Sequence, residues 1–110
     1  AGSGGGTEPD EPRVLALREA LHVNAAAALL KMEEWAPAAA ACKFALDATP
    51  THPKALFRLA KAHEGAGNLQ TAVSTLGDLL TVEGQAGNRE ARALLERLRG
   101  QVQEEKQTFG

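Results

Sequence analysis

The sequence predicts an all-α fold, with antiparallel helix-turn-helix repeats stacked as an α–α superhelix and closed by a C-terminal capping helix. Three observations predict it. First, the chain repeats itself with an offset of 34 residues. Ala26 recurs as Ala60, Ala28 as Ala62 and Ala38 as Ala72. Ala25 is answered by Leu59, Trp35 by Leu69, Cys42 by Leu76, Ala45 by Leu79 and Leu46 by Leu80. Small and bulky apolar positions return in phase, as they must when one helical hairpin packs on a copy of itself. Second, much of the apolar 44% of these 110 residues is alanine, and the aromatics are only Trp35, Phe44, Phe57 and Phe109. The chain has no Ile and no Tyr, whereas sheets draw on β-branched and aromatic residues. Third, Pro and Gly fall where hairpins would begin and end.

The elements follow in order. Residues 1–10 are rich in Gly, with Ser, Pro and acidic residues, and read as a disordered leader or linker. The chain opens on Ala1 and its single methionine is Met32, so it reads as a piece of a longer protein. Asp10 is the expected cap of the first helix, with Glu11 and Pro12 suited to its first turn. Val14, Leu15, Leu17, Ala20, Leu21 and Ala25 recur at helical spacing through Leu29 and Leu30, which predicts a helix over about 11–32. Glu33 and Glu34 form the turn. The second helix spans about 35–48, with Pro37 tolerated in its first turn.

Pro50 and Pro53 end that helix and start a third, about 53–66. Gly67-Asn68 supplies the next break. A fourth helix, about 69–82, is closed by Gly84 and Gly87. Asn88 caps the last, about 89–106, whose apolar stripe is Ala91, Leu94, Leu95, Leu98 and Val102. Glu90, Arg92, Glu96, Arg97 and Arg99 lie off that stripe. Gly100 weakens the helix by about 1 kcal/mol relative to alanine. The expected domain is 11–106, with repeats at about 19–52 and 53–86 and the capping helix at about 89–106.

Several function classes fall away. A net charge of −2 argues against nonspecific nucleic-acid binding, which needs a basic face. The apolar run 23–30 is too short to span a bilayer, and no signal-peptide pattern is present. Cys42, the single cysteine, fits a reducing, cytoplasmic setting and reads as a buried thiol. Trp35 reads as a packing residue. His22, His52 and His63 fall on different elements, without the spacing of metal ligands. Gly2–Gly6 is followed by no Gly-Lys-Ser/Thr and is no phosphate loop. No nucleophile–base or paired-carboxylate pattern occurs, so neither catalytic residues, metal nor cofactor is expected.

The register resembles the tetratricopeptide repeat family at its signature positions. Trp35-x-x-Ala38-Ala39-x-x-Cys42-x-x-Ala45-Leu46-x-x-x-Pro50 follows the family's second-helix pattern. Asn68-Leu69-x-x-Ala72-Val73-x-x-Leu76-x-x-Leu79-Leu80 does the same, with Gly84 in place of the closing proline. A narrower resemblance lies on the first helices. His22-Val23-Asn24-Ala25-Ala26-Ala27 and Lys54-Ala55-Leu56-Phe57-Arg58 are similar to segments of co-chaperones that clamp a C-terminal carboxylate. The acidic-basic end of the chain resembles the C-terminal repeat region of FK506-binding-type immunophilins, which join prolyl isomerase domains to such repeats.

Asn24 and Arg58 are 34 apart and so hold one place in successive units, while Lys54 and Arg58 at i and i+4 share a helix face. Asn24 is a polar break in an alanine-rich run. The resemblance implies that Lys54 and Arg58 hold an acidic side chain and backbone, and Asn24 the terminal carboxylate. The implied partner is the acidic C-terminal peptide of Hsp90, Met-Glu-Glu-Val-Asp, or the related tail of Hsp70. Lysine offers a mobile charge, arginine a forked donor and asparagine a paired donor and acceptor. The family's clamp also takes a lysine and an asparagine from a preceding repeat, and only residues 1–18 precede the first full unit here. Lys61, one turn beyond Phe57 and Arg58, is a candidate for the rim. The alternative is a scaffold whose exposed repeat face binds a partner helix or a second copy of the chain. A third expectation sets this piece beside the catalytic domain of a prolyl isomerase.

Overall fold

The computed structural model describes residues 11–109, with side chains through residue 106. Within them lie five helices, α1 Pro12–Lys31, α2 Trp35–Ala48, α3 Pro53–Gly65, α4 Leu69–Thr81 and α5 Arg89–Phe109. Each helix packs on the next, and α1 also reaches α3, as in a stack of hairpins. The expected disordered leader and the expected cap Asp10 lie outside the described residues. The α1 cap is Glu11, whose carboxylate accepts the Val14 N–H at 3.0 Å. Pro12, lacking an N–H, follows at the first helical position.

The other beginnings divide by register. His52 Nδ1 accepts from the Ala55 N–H at 3.3 Å, with Pro53 next in line. Asn88 caps α5, its Oδ1 accepting the Ala91 N–H at 3.0 Å. The two second helices, α2 and α4, start at Glu34 and Asn68 without a side-chain cap. Those two positions are 34 apart, so even the missing cap repeats.

The turns inside the hairpins repeat as well. Glu33 N–H reaches the Leu30 carbonyl at 3.0 Å and Glu34 N–H the Leu29 carbonyl at 2.9 Å. One repeat later, Gly67 N–H reaches Glu64 and Asn68 N–H reaches His63, at 3.0 and 2.8 Å. Both are the paired closure that ends a helix on a left-handed residue. Gly67 has φ +88° and Glu33 has φ +59°. The sequence marked the second turn by its glycine, but the first reaches the same geometry through a side chain that resists it. Helix ends differ from expectation by a residue or so, except at α5. That helix runs to Phe109 rather than 106, through Gly100, because the cost of one exposed glycine is small beside the helix behind it.

The core changes character along the stack. Between α1, α2 and α3 it is built mostly from small residues, Val23 with Ala45 and Ala55, then Ala26 and Cys42 with a single leucine, Leu59. Between α3, α4 and α5 it is leucine-rich, with Leu56, Leu76, Leu79, Leu94, Leu95 and Leu98 closing on Ala60, Ala72 and Ala91. Burying a leucine contributes about 2 kcal/mol, and an alanine less than about 1. Most of the apolar stabilisation therefore sits in the C-terminal half. Thr75, the buried polar residue there, is satisfied by donating to the Thr71 carbonyl at 2.8 Å. Arg97 ties α5 to the end of α3 through Glu64 at 2.7 Å.

Candidate functional site

Stacked hairpins place their first helices side by side, and here α1 and α3 leave a groove of about 500 Å³. Its floor is apolar, from Ala27 and Leu30 of α1 and Phe57 of α3. One wall carries Lys54, Arg58 and Lys61 of α3, which fall at i, i+4 and i+7 and so share a helix face. The far wall comes from the α4–α5 connection and the first turn of α5, through Gln85, Asn88 and Glu90.

Arg58 is held in place. Its Nη1 donates to the Val23 carbonyl of α1 at 2.7 Å, which aims the guanidinium while leaving its other donors for a ligand. No carboxylate among the described residues lies in ion-pair range of Lys54, Arg58 or Lys61. Three cations without acidic partners on one wall make a site for an anionic chain. The far wall is partly occupied by itself, since Asn88 Nδ2 donates to Gln85 Oε1 at 3.0 Å while its oxygen caps α5.

The structure brings Lys54 and Arg58 together in this groove. Asn24 is exposed on α1, next to the Val23 that anchors Arg58, and is not among the groove-lining residues. Lys61 joins the two cations as the sequence proposed. The far wall was missed: Gln85, Asn88 and Glu90 come from the connection that departs from the repeat pattern, and the register gives no signal there.

Cys42 is fully buried, packed with Ala26 and Leu59. Burial pushes its thiol up to about 11, with the Arg58 charge opposing in part. It packs as a small apolar residue. His63 is held below its usual range, first by burial and then by the Lys43 charge. Trp35 is half-buried and lies flat against Gly65. Among the described residues no cluster of His, Cys, Asp or Glu could hold a metal, and no helix is long and apolar enough to cross a membrane.

A family model for the tetratricopeptide repeat matches residues 29–98, across α2, α3, α4 and the first part of α5. The chain belongs to the tetratricopeptide repeat family. Repeats of this family are non-catalytic protein–protein interaction modules. Two plant relatives are similar to it. Peptidyl-prolyl cis-trans isomerase PASTICCINO1 of Arabidopsis thaliana is 34% identical over 69% of this chain and 12% of its own length. Peptidyl-prolyl cis-trans isomerase FKBP42 of the same plant is 31% identical over 86% of this chain and 27% of its own. The chain thus spans about an eighth and about a quarter of these relatives, and the likeness is that of the repeat region in an FK506-binding-type protein.

Proposed function

We propose that this repeat region is the partner-binding module of a co-chaperone and captures the acidic C-terminal peptide of Hsp90 or Hsp70. The observation that carries the reading is the wall of Lys54, Arg58 and Lys61, which lines one groove with no acidic ion partner among the described residues. An extended peptide with acidic side chains and a free carboxylate presents anionic oxygens at short intervals. Its apolar side chains would settle on Phe57, Leu30 and Ala27. Arg58, already anchored to α1, needs little reordering to bind, which lowers the entropic cost of capture. Such a partner places the protein in the cytoplasm.

The test is calorimetric titration with a Met-Glu-Glu-Val-Asp peptide. Lys54→Ala and Arg58→Ala should each weaken binding by about 1–3 kcal/mol. No binding, or binding that both substitutions leave unchanged, would exclude the clamp.

The names of the two relatives favour a parent protein that joins this module to a prolyl isomerase domain. In that arrangement the repeats would bring the isomerase to the chaperone's clients. Assaying the parent for isomerisation of a prolyl peptide tests this, and a parent without that activity would refute it.

A further inference from the structure

The groove carries opposite charges on its two sides, and they do not meet. Lys54 and Arg58 of α3 line it, and so does Glu90 of α5. Among the described residues, Glu90 is in no ion pair. Gln85 and Asn88, its neighbours on that side, are neutral and bonded to each other, so Glu90 sets the charge of the far wall. The register explains its place. His52 caps α3 and Asn88 caps α5, and Lys54 and Glu90 are each the second residue after the cap. Equivalent positions on α3 and α5 thus present a cation and then a carboxylate to one cavity. A carboxylate also suits the positive end of a helix. Any position of that turn would serve the dipole, however, and the one used lines the groove.

Given capture of an extended acidic C-terminal peptide here, as proposed above, we infer that the groove selects a tail of alternating charge. Acidic residues two apart lie against α3, and a basic residue on the opposite edge of the peptide lies against Glu90. Lys54 and Arg58 are four residues apart, about 6 Å along the helix. Side chains on one edge of an extended peptide are two residues apart, about 6.6 Å, so that edge can present an acid to each cation. The other edge then faces the far wall, where Glu90 repels an acid and pairs with a lysine or arginine. In Met-Glu-Glu-Val-Asp the third and fifth residues, Glu and Asp, share the first edge. Its second residue, also Glu, falls on the other edge and meets Glu90. The preferred ligand carries a basic residue at that point, and Glu90 is the specificity-determining residue that reads it.

Calorimetric titration with two isomeric free-acid peptides, Met-Lys-Glu-Val-Asp and Met-Glu-Lys-Val-Asp, tests this. They share composition and net charge and differ only in which wall meets the lysine. The first should bind about fivefold more tightly. Glu90→Gln should weaken the first about two- to fivefold and tighten Met-Glu-Glu-Val-Asp by a similar factor, opposite signs that no loss of folding could produce. Equal affinities for the two isomers, or a first isomer whose affinity Glu90→Gln leaves unchanged, overturn the inference. If Arg58→Ala still weakens Met-Glu-Glu-Val-Asp in that case, the capture proposed above stands without it. Binding of the first isomer with none of Met-Glu-Glu-Val-Asp supports the alternation and removes the chaperone tail as the partner. Binding of none of the three peptides overturns both.

Discussion

Gly65 exists for Trp35. A Cβ added there would run into the indole ring at several atoms, so the ring or the backbone beneath it would have to shift. Gly65→Ala should cost about 1–3 kcal/mol in chemical denaturation. Replacing Trp35 by leucine, the residue its repeat equivalent Leu69 supplies, should make that same substitution much cheaper. Equal penalties in both backgrounds would refute the contact. The sequence identified Trp35 as a packing residue but gave no reason for Gly65, because the repeat pattern records which positions are apolar and not which surfaces touch. Glu33 is the opposite case. It holds the left-handed turn that Gly67 holds one repeat later, at φ +59°, so Glu33→Gly should stabilise the fold by about 1 kcal/mol. A loss of stability would show that the side chain contributes something the backbone geometry does not. His63 sets a pH dependence. Its folded-state value lies below 6.5, so as pH falls through 6.5 the unfolded chain takes up the proton first and stability drops. His63→Gln should flatten that acid-side decline relative to the parent chain, and an unchanged pH profile would count against it.

The helices themselves were legible because each has its own punctuation. Pro53 starts α3, Asn88 caps α5, and the hydrophobic register distinguishes the buried stripe Ala91, Leu94, Leu95 and Leu98 from its charged flank. At α1 the cap is Glu11, a carboxylate expected in the first turn, while the expected cap Asp10 lies outside the described residues. The sequence erred at the end of α5, where no proline or turn marks a stop and polar residues with good helix propensity carry the helix on. Element stability should follow the core. The first turns of α1 carry exposed residues from 12 to 18, while α3 and α4 sit between neighbours on both sides. Amide hydrogen exchange should therefore show least protection in the first half of α1 and most in α3 and α4. Uniform protection across all five helices would contradict a core weighted to the C-terminal half.

At the scale of the whole molecule, two stacked hairpins and a terminal helix make a groove with one cationic wall. The 34-residue offset made the stack legible, and it put Lys54 and Arg58 on the face that lines the groove. It could not reveal that Arg58 is braced by the Val23 carbonyl, since a backbone acceptor has no sequence signature. Nor could it reveal the far wall of Gln85, Asn88 and Glu90, which is formed where the repetition stops. The register alone paired Asn24 with Arg58, yet equal phase on neighbouring helices does not by itself bring two side chains to one cavity. The function proposed for that groove is charge-assisted capture of a carboxylate-terminated acidic peptide. Its most direct measurement is calorimetric titration of the chain with Met-Glu-Glu-Val-Asp as the free acid and as the C-terminal amide, at low and at raised salt. The account predicts that the free acid binds more tightly than the amide, that its affinity falls as salt rises, and that Arg58→Ala lowers it. Equal binding of acid and amide, indifferent to salt and to Arg58, would contradict it.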